Sequence, residues 1–185
     1  MKNIFYIMIV LFAVSCKAQT YPLRTYTEIP ENAYLKDTNN ELQTYEGTWK
    51  GTWNNKTIYI TLKKITNKYD NVFKYYRDYL IAKFKVIDNS GNILFDNNNL
   101  ADDKAKINGG KFRKIDNKYS LNYIDPDLCF KSGFITIQFI DSNKTKLEWN
   151  FMESSNLIEP DCFYHSFSAS QRPEPLPVNI ILTKQ

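Results

Sequence analysis

The chain has 185 residues, of which 43% are hydrophobic, 15% are aromatic and 24% are charged. This length suits a single domain, and the composition can supply a packed core, unlike that of a disordered tail or a fibrous repeat. The net charge of +4 is spread along the chain without a basic cluster, so we expect no nucleic-acid partner. The single histidine, His165, excludes a His-rich zinc site and a two-His relay, and we expect no enzyme, no metal and no cofactor.

An export signal is predicted for residues 1–18. A basic residue precedes an apolar run over residues 4–14, which is shorter than the roughly 20 residues that a membrane-spanning helix needs. The run ends in Ala-Val-Ser before Cys16, which resembles a bacterial lipobox, so cleavage before Cys16 would leave a lipid on its sulfur. Ordinary cleavage before Gln19 is the alternative. We therefore expect the protein in the cell envelope, held to a membrane by a lipid at Cys16, or secreted.

The two remaining cysteines, Cys129 and Cys162, are predicted to form a disulfide. Exported proteins fold where thiols oxidise, and an even pair is left once Cys16 is set aside. An Asp-Pro-Asp stretch closely precedes Cys129 and a Glu-Pro-Asp stretch precedes Cys162, so both lie in turn-like sequence where a bridge can join neighbouring loops. Two buried free thiols are the alternative.

Two segments with different patterns follow the signal. Residues 19–44 contain two prolines and an Asn pair without sustained periodicity, so they are predicted to form an irregular arm. Over residues 45–185 apolar and polar side chains alternate with a period of two, which is typical of strands with one buried face. Stretches rich in Asn and Asp separate several of these strands, and both residue types tolerate the left-handed backbone that tight hairpin turns need.

About ten strands are predicted in an all-β domain over residues 45–185. They are expected at residues 47–53, 57–63, 80–86, 93–97, 111–115, 119–124, 135–139, 147–151, 162–168 and 178–183. We predict a loop at residues 70–78, and a short helix crossing a barrel end at residues 100–107. Successive hairpins favour an antiparallel up-and-down barrel of about 8–10 strands, which has no exposed edge, and a β-sandwich is the alternative.

The first predicted strand opens with Gly47-Thr48-Trp49, which resembles the Gly-x-Trp signature of lipocalins. With the export signal and the alternating strands, this makes nearly the whole mature chain similar to a family of uncharacterised bacterial secreted proteins and lipoproteins with a lipocalin-like barrel, a domain of unknown function. The resemblance implies a fold and an envelope location but no activity. It implies that Trp49 packs across the closed end of the barrel. Lipocalins place an Arg from near the last strand on this Trp, and Arg172 is the only Arg late in this sequence.

We find no recognisable catalytic constellation in the sequence. Cys162 and His165 are three residues apart, which on a strand would turn their side chains to opposite faces, and Cys162 is assigned to the disulfide. An acidic and Asn-rich stretch over residues 96–103 lacks the Gly and the Glu that an EF-hand calcium loop needs.

Aromatic residues, with 13 Tyr and 12 Phe, are the compositional excess that could serve binding. They cluster at residues 69–79 and 163–167. Pockets for small ligands combine apolar walls with few polar groups. We therefore expect a non-enzymatic, lipocalin-like envelope protein that binds a small apolar ligand in its barrel. The alternative is a protein–protein interaction or inhibitor module of the cell envelope.

Overall fold

The computed structural model of this protein describes residues 19–154 and 158–185, and within them the chain forms eleven strands. They are β1 (Thr20–Pro22), β2 (Tyr34–Lys36), β3 (Gly47–Trp53), β4 (Lys56–Asp70), β5 (Tyr75–Asp88), β6 (Ile93–Asp96), β7 (Ile107–Phe112), β8 (Tyr119–Asp125), β9 (Lys131–Phe139), β10 (Lys146–Glu153) and β11 (Asn179–Lys184). Short 3-10 turns lie at Leu42–Tyr45, Asp102–Lys104, Pro126–Leu128 and Ala169–Gln171. No helix in these two ranges is long and apolar enough to cross a membrane. The predicted signal peptide and the predicted lipid attachment at Cys16 lie outside the described residues.

Eight of the strands close into an antiparallel ring in the order β5, β4, β3, β11, β10, β9, β8 and β7, and β7 pairs with β5 to complete it. Most neighbours in the ring are also neighbours along the chain. The first and the last wall strands in the sequence, β3 and β11, also pair with each other, with Lys50 opposite Thr183. The predicted all-β, up-and-down barrel is therefore confirmed, and the β-sandwich alternative is not what the chain forms. Ring closure gives every wall strand a neighbour on both sides, which is the physical advantage that favoured the barrel.

Alternation along β4 shows how the sequence builds the wall. Ile58, Ile60 and Leu62 are buried, while Tyr59 and Thr61 between them are partly exposed on the outer face. The predicted hairpin turns also adopt the expected backbone, because Asn residues with positive φ occupy the β3–β4 and β7–β8 turns. In β4, local sequence and tertiary burial thus agree on which face of the strand is inside.

One edge of β5 pairs with β4, and the other edge is shared by three short segments. In order along β5, these segments are β2, β7 and β6. The strands β6 and β7 therefore act as two pieces of one wall strand, separated by an excursion over residues 97–106. Lys63 and Lys83 hold this excursion on the outer wall, with Nζ at 2.5 and 2.9 Å from the carboxylate of Asp102. The predicted helix across a barrel end is wrong, since the excursion forms only one 3-10 turn and lies along the wall.

The arm is more regular than the sequence predicts. Within residues 19–44, β2 pairs in parallel with the start of β5, and β1 pairs with β2. The buried carboxylates of Asp37 and Asp78 hold this addition, because Asp78 accepts a hydrogen bond from the N–H of Asp37 at 2.9 Å and from the hydroxyl of Tyr34 at 2.6 Å. Strands of three residues are too short to show a period, so this order is invisible to a pattern argument.

Three further segments differ from the sequence prediction. The strand predicted at residues 111–115 lies earlier in the chain, because β7 runs from Ile107 to Phe112 and residues 113–118 form the turn into β8. The strand predicted at residues 162–168 is wrong, because the segment forms successive turns in which Phe163, Tyr164 and Phe167 pack on one another with ring centroids 5.0–5.6 Å apart. The loop predicted at residues 70–78 is shorter than expected. There β4 runs to Asp70 and β5 begins at Tyr75, so the turn comprises only residues 71–74.

Candidate functional site

The interior of the barrel is filled by side chains. Every strand of the ring contributes at least one side chain that is no more than 2% exposed, and representative members are Trp49, Ile60, Phe84, Ile107, Tyr123, Ile137, Trp149 and Leu182. A side chain that lined a cavity large enough for water would expose area to it. Aromatic contacts cross the interior, with ring centroids 6.3 Å apart for Phe84 and Tyr123 and 5.8 Å apart for Tyr123 and Phe151. These residues therefore leave no ligand-sized space beside them.

Trp49 of the Gly-x-Trp signature packs at one end of the barrel, which we call the arm end because the turn Leu42–Tyr45 covers it. Its Nε1 donates to the carbonyl of Tyr45 at 2.8 Å, and the ring of Tyr45 stacks on Phe139 with centroids 4.4 Å apart. Lys184 lies over Trp49, with Nζ 5.2 Å from the ring centroid and 3.3 Å from the carbonyl of Thr44. A lysine of the last strand thus supplies the cation on this Trp.

Arg172, the only arginine late in the sequence, does not lie on Trp49. Its Nε donates to the carbonyl of Phe167 at 3.1 Å. The other signature residue, Gly47, has a φ of 121°, and a Cβ at this position would come within 3.3 Å of Cε of Lys184. A side chain there would be strained by the backbone and would crowd the lysine, so the Gly is explained by local geometry.

The opposite end of the barrel, which we call the disulfide end, is held by the bridge between Cys129 and Cys162. Their Cα atoms are 5.8 Å apart, and the predicted disulfide is confirmed. Pro175, Leu176 and Pro177 are buried there, and Nε1 of Trp149 donates to the carbonyl of Pro177 at 3.1 Å. This segment therefore plugs the disulfide end. A cavity of about 80 Å³ lies outside the plug, beside Cys129.

A charged cluster that the sequence does not predict lies at the disulfide end. Nζ of Lys106 lies 2.6 Å from Asp125 and 2.7 Å from Asp127, and the hydroxyl of Tyr123 donates to Asp125 at 2.9 Å. Burial lowers the pKa of Lys106, but the hydrogen bonds and the negative charges of the two carboxylates together outweigh burial and raise the pKa. Burial and the neighbouring Asp125 raise the pKa of Tyr123. The cluster is internally paired, so it joins β8 to the excursion and the following turn.

The residues considered for catalysis do not assemble into a reactive group. Cys162 is bonded in the disulfide, and His165 is exposed in the turns that follow it. The acidic stretch at residues 96–103 is paired with lysines, as Asp102 contacts Lys63 and Lys83. Within residues 19–154 and 158–185, no group of three or more His, Cys, Asp or Glu side chains could hold a metal ion.

Glu148 lies on the outer wall in a small polar network. Its Oε2 accepts hydrogen bonds from Nζ of Lys118 at 2.7 Å and from Nε2 of Gln138 at 2.5 Å. The hydrogen bond from Lys118 is the main cause that lowers the pKa of Glu148 below its ordinary value of 4.5, and burial opposes it. The carboxylate is therefore ionised at neutral pH, which suits an ion pair and not a general acid.

Replacing Glu148 with Gln is expected to lower the free energy of unfolding at pH 7 by no more than about 1 kcal/mol, because the pair is partly exposed. A lowered pKa in the folded state means that the ionised group stabilises the fold above its ordinary pKa of 4.5, and this contribution is lost as the pH falls through the folded value. Urea unfolding from pH 7 to pH 3 should therefore show the two proteins converging in acid. A gap that stays constant with pH, or an equal gap for the exposed control E174Q, would contradict this role.

The outer wall near the disulfide end carries an apolar row formed by Ile124, Phe134, Met152 and Val178. Met152 pairs directly with Phe134, and Ile124 is diagonal to Phe134 across β8 and β9. The carbonyl of Val178 accepts a hydrogen bond from the N–H of Phe151, the residue before Met152. Ile124, Met152 and Val178 are 52%, 68% and 64% exposed. Outward positions of a solvated sheet are normally polar. The row is therefore a candidate docking surface, and its last three members line a groove of about 470 Å³.

A model of one protein family, described as a family of unknown function (DUF6705), matches residues 1–185. No curated protein and no solved structure matches the chain. The family description assigns no activity, so any function has to be argued from the geometry of the barrel itself.

Proposed function

This chain belongs to the family of unknown function DUF6705. We propose that it is an exported, non-enzymatic protein of the cell envelope that is anchored by a lipid at Cys16. We further propose that it binds a protein partner on the outer wall of its barrel. The observation that carries this proposal is the filled interior. Wall residues such as Ile60 and Trp149 have no exposed area, so recognition has to use the outside of the molecule.

The filled interior argues against the small apolar ligand that the sequence led us to expect. Pockets for such ligands usually have volumes of about 300–1,000 Å³ and bury most of the ligand. The cavity beside Cys129 measures about 80 Å³, which is smaller than that range, and the groove of about 470 Å³ beside Met152 lies on the outer wall and not inside the barrel. A ligand inside the barrel would have to displace the rings of Phe84, Tyr123 and Phe151, at the cost of the aromatic packing that joins opposite walls.

The non-enzymatic part of the proposal rests on the pairing of the reactive groups. The thiol of Cys162 is consumed in the disulfide, and His165 has an exposed side chain in a turn. Glu148 and Glu153 are each held by a lysine on the outer wall, at 2.7 and 2.6 Å. Carboxylates fixed in this way are poor general acids.

The position of Gln19 suggests which class of partner the apolar row meets. The carbonyl of Gln19 accepts a hydrogen bond from the N–H of Tyr34 at 2.9 Å, and Tyr34 pairs with Tyr76 near the start of β5. The chain therefore enters the fold on the side of the arm end. A lipid on Cys16, three residues earlier, would hold that end toward the membrane. The apolar row, at the other end, would then face away from the lipid, where a protein can reach it.

Site-specific photo-crosslinking in the native host tests the proposal. A photoreactive phenylalanine at position 152, in the middle of the apolar row, is expected to give one discrete protein adduct. The same residue at position 59 on the outer wall of β4 is the control and should give none. Replacing Ile124, the first member of the row, with Glu should reduce the adduct at position 152 about tenfold or more, since a charge introduced into an apolar interface typically costs over 1.4 kcal/mol.

Two results would overturn the proposal. The first is equal crosslinking at positions 152 and 59, which would mean random collision. The second is a native mass spectrum of protein from its own host with a bound apolar molecule in addition to any acyl chain on Cys16, which would restore the ligand carrier. The acyl mass itself reports whether Cys16 is lipidated.

A further inference from the structure

The hairpin of β4 and β5 projects beyond the barrel and ends in an apolar tip formed by Asn71, Val72, Phe73 and Lys74. Pairing of β3 with β4 stops at Leu62, whereas β4 continues to Asp70. Up to Tyr76 and Arg77 the extra length is covered, because β2 pairs there with β5 and Arg77 donates to the carbonyl of Gly109 in β7 at 2.9 Å. Beyond this point only the end of the hairpin stands free. Val72 is 83% exposed and Phe73 is 54% exposed at its end. Turns at the ends of exposed hairpins are usually polar, so two apolar side chains there indicate a surface that contacts something.

The tip has a fixed shape. Oδ1 of Asp70 accepts hydrogen bonds from the backbone N–H groups of Val72 at 2.9 Å and Phe73 at 3.1 Å, and the carbonyl of Asp70 accepts from the N–H of Lys74 at 2.8 Å. The ring of Phe73 stacks on Tyr75 with centroids 5.6 Å apart, and the guanidinium of Arg77 lies 5.5 Å from the centroid of Phe73. The apolar pair is therefore presented by an ordered turn, which reduces the entropy lost on binding.

The chain enters the fold beside this tip. The N–H of Asn32 donates to the carbonyl of Lys74 at 2.8 Å, and β1 and β2 run parallel to β5, so the N-terminal ends of all three strands lie on the same side. Gln19 immediately precedes β1. Cys16 lies three residue steps before Gln19, a distance of at most about 11 Å when the chain is fully extended. A lipid on Cys16 would thus enter the bilayer close to Val72 and Phe73.

We propose that this tip is a membrane-contact element, in which Val72 and Phe73 enter the interface of the phospholipid bilayer that holds the lipid anchor. The inference rests on the membrane location in the proposed function. Tyr69, Tyr75 and Tyr76 surround the base of the tip, and tyrosines are favoured where apolar and hydrated layers meet. One acyl chain alone gives weak, reversible binding, so a second apolar contact would strengthen the attachment and fix its orientation.

Charges around the tip fit a phospholipid headgroup layer. Lys68 and Lys74 are exposed on either side of the apolar pair and can reach headgroup phosphates. Asp70 is occupied, since its Oδ2 lies 2.9 Å from Nε of Arg77. Glu31 is also exposed near the tip, next to Asn32, so the local excess of positive charge is small. The apolar pair therefore supplies the main attraction, and the lysines assist it.

Fluorescence quenching at two matched positions tests the tip. V72C is labelled with the environment-sensitive dye NBD on the mature protein purified from its host. I93C, labelled in the same way, is the control, because Ile93 is 57% exposed near the disulfide end. Vesicles of phosphatidylethanolamine and phosphatidylglycerol carry nitroxide-labelled lipid as the quencher. We expect quenching at position 72 to exceed that at position 93 by about threefold or more, and F73D in the V72C protein to remove the difference.

Equal quenching at the two positions, or quenching that survives F73D, would overturn the inference. Phe73 is half exposed, so F73D should leave the thermal unfolding midpoint close to that of the parent, and this measurement confirms that the variant is folded. The intact mass of the same sample shows whether Cys16 carries an acyl chain. An unmodified Cys16 would contradict the anchor in the proposed function and would itself take the dye. V72C and I93C are then compared in a C16S background, where quenching after vesicles are added still decides for or against the tip.

Discussion

Replacing Asp37 with alanine is expected to lower the free energy of unfolding by about 3–5 kcal/mol, the range typical for breaking one side of a buried ion pair. The side chain of Asp37 is 1% exposed, and its Oδ2 lies 2.6 Å from Nζ of Lys64, which is 13% exposed. The same carboxylate accepts the N–H groups of Glu41 at 2.7 Å and Leu42 at 3.0 Å. The substitution therefore leaves an unpaired ammonium group and two unsatisfied donors next to the turn that covers Trp49.

Chemical denaturation of D37A and three companions measures this effect. D103A is the matched control, because Asp103 is exposed, and we expect a change within about 0.5 kcal/mol. D37N keeps an acceptor for the turn and should be less destabilised than D37A. The double variant D37A/K64M removes the unpaired charge and should recover part of the loss. A D37A effect as small as that of D103A would mean that the pair is not buried in solution.

Removal of the disulfide in the double variant C129S/C162S is expected to cost about 4 kcal/mol, the chain-entropy value for a loop of this length. The two cysteines are 33 residues apart in the sequence. The loop they close contains β9 and β10. Without the bridge, the turns after Cys162 lose their covalent link to the end of β8. The eight wall strands do not depend on it directly, because their pairing is made by the backbone.

Urea unfolding with and without a reductant checks this prediction. Reduction should lower the midpoint of the parent to that of C129S/C162S and should leave the double variant unchanged. Far-UV circular dichroism under native conditions should be similar for both proteins, since the wall strands persist. A parent whose midpoint does not respond to a reductant, although its two thiols become titratable, would show that the bridge adds no stability.

The sequence predicts the wall of the barrel well because burial there follows a simple period. Ile58, Ile60 and Leu62 alternate with polar neighbours, and the structure buries them as the pattern requires. The strand Gly47–Trp53 is predicted with the bounds it has. The disulfide is predicted from the oxidising compartment and the even count of cysteines. Each of these inferences depends on a local pattern or on the number of cysteines, and none of them needs knowledge of distant contacts.

The segments that the sequence misses are those fixed by distant contacts. β2 exists because the edge of β5 is open at Tyr76 and Arg77, more than 30 residues away. Lys184 over Trp49 is missed because the resemblance directs attention to arginine, although a lysine can supply the same charge. At residues 162–168, apolar spacing imitates a strand while the side chains pack on one another. The filled interior is likewise a property of packed volumes, which a periodic pattern does not encode.

The pairing of β3 with β11 also determines when the fold can be completed. The pairs are Lys50 with Thr183 and Trp49 with Lys184. The ring can therefore close only after the last wall strand has paired with the first one. Until then the partly formed sheet has two free edges, one on β3 and one on β10, which are open to pairing with other chains. Such long-range closure is typical of slow folding. A truncation that removes β11 should therefore increase aggregation during folding more than its few residues suggest, since it leaves both edges permanently unpaired.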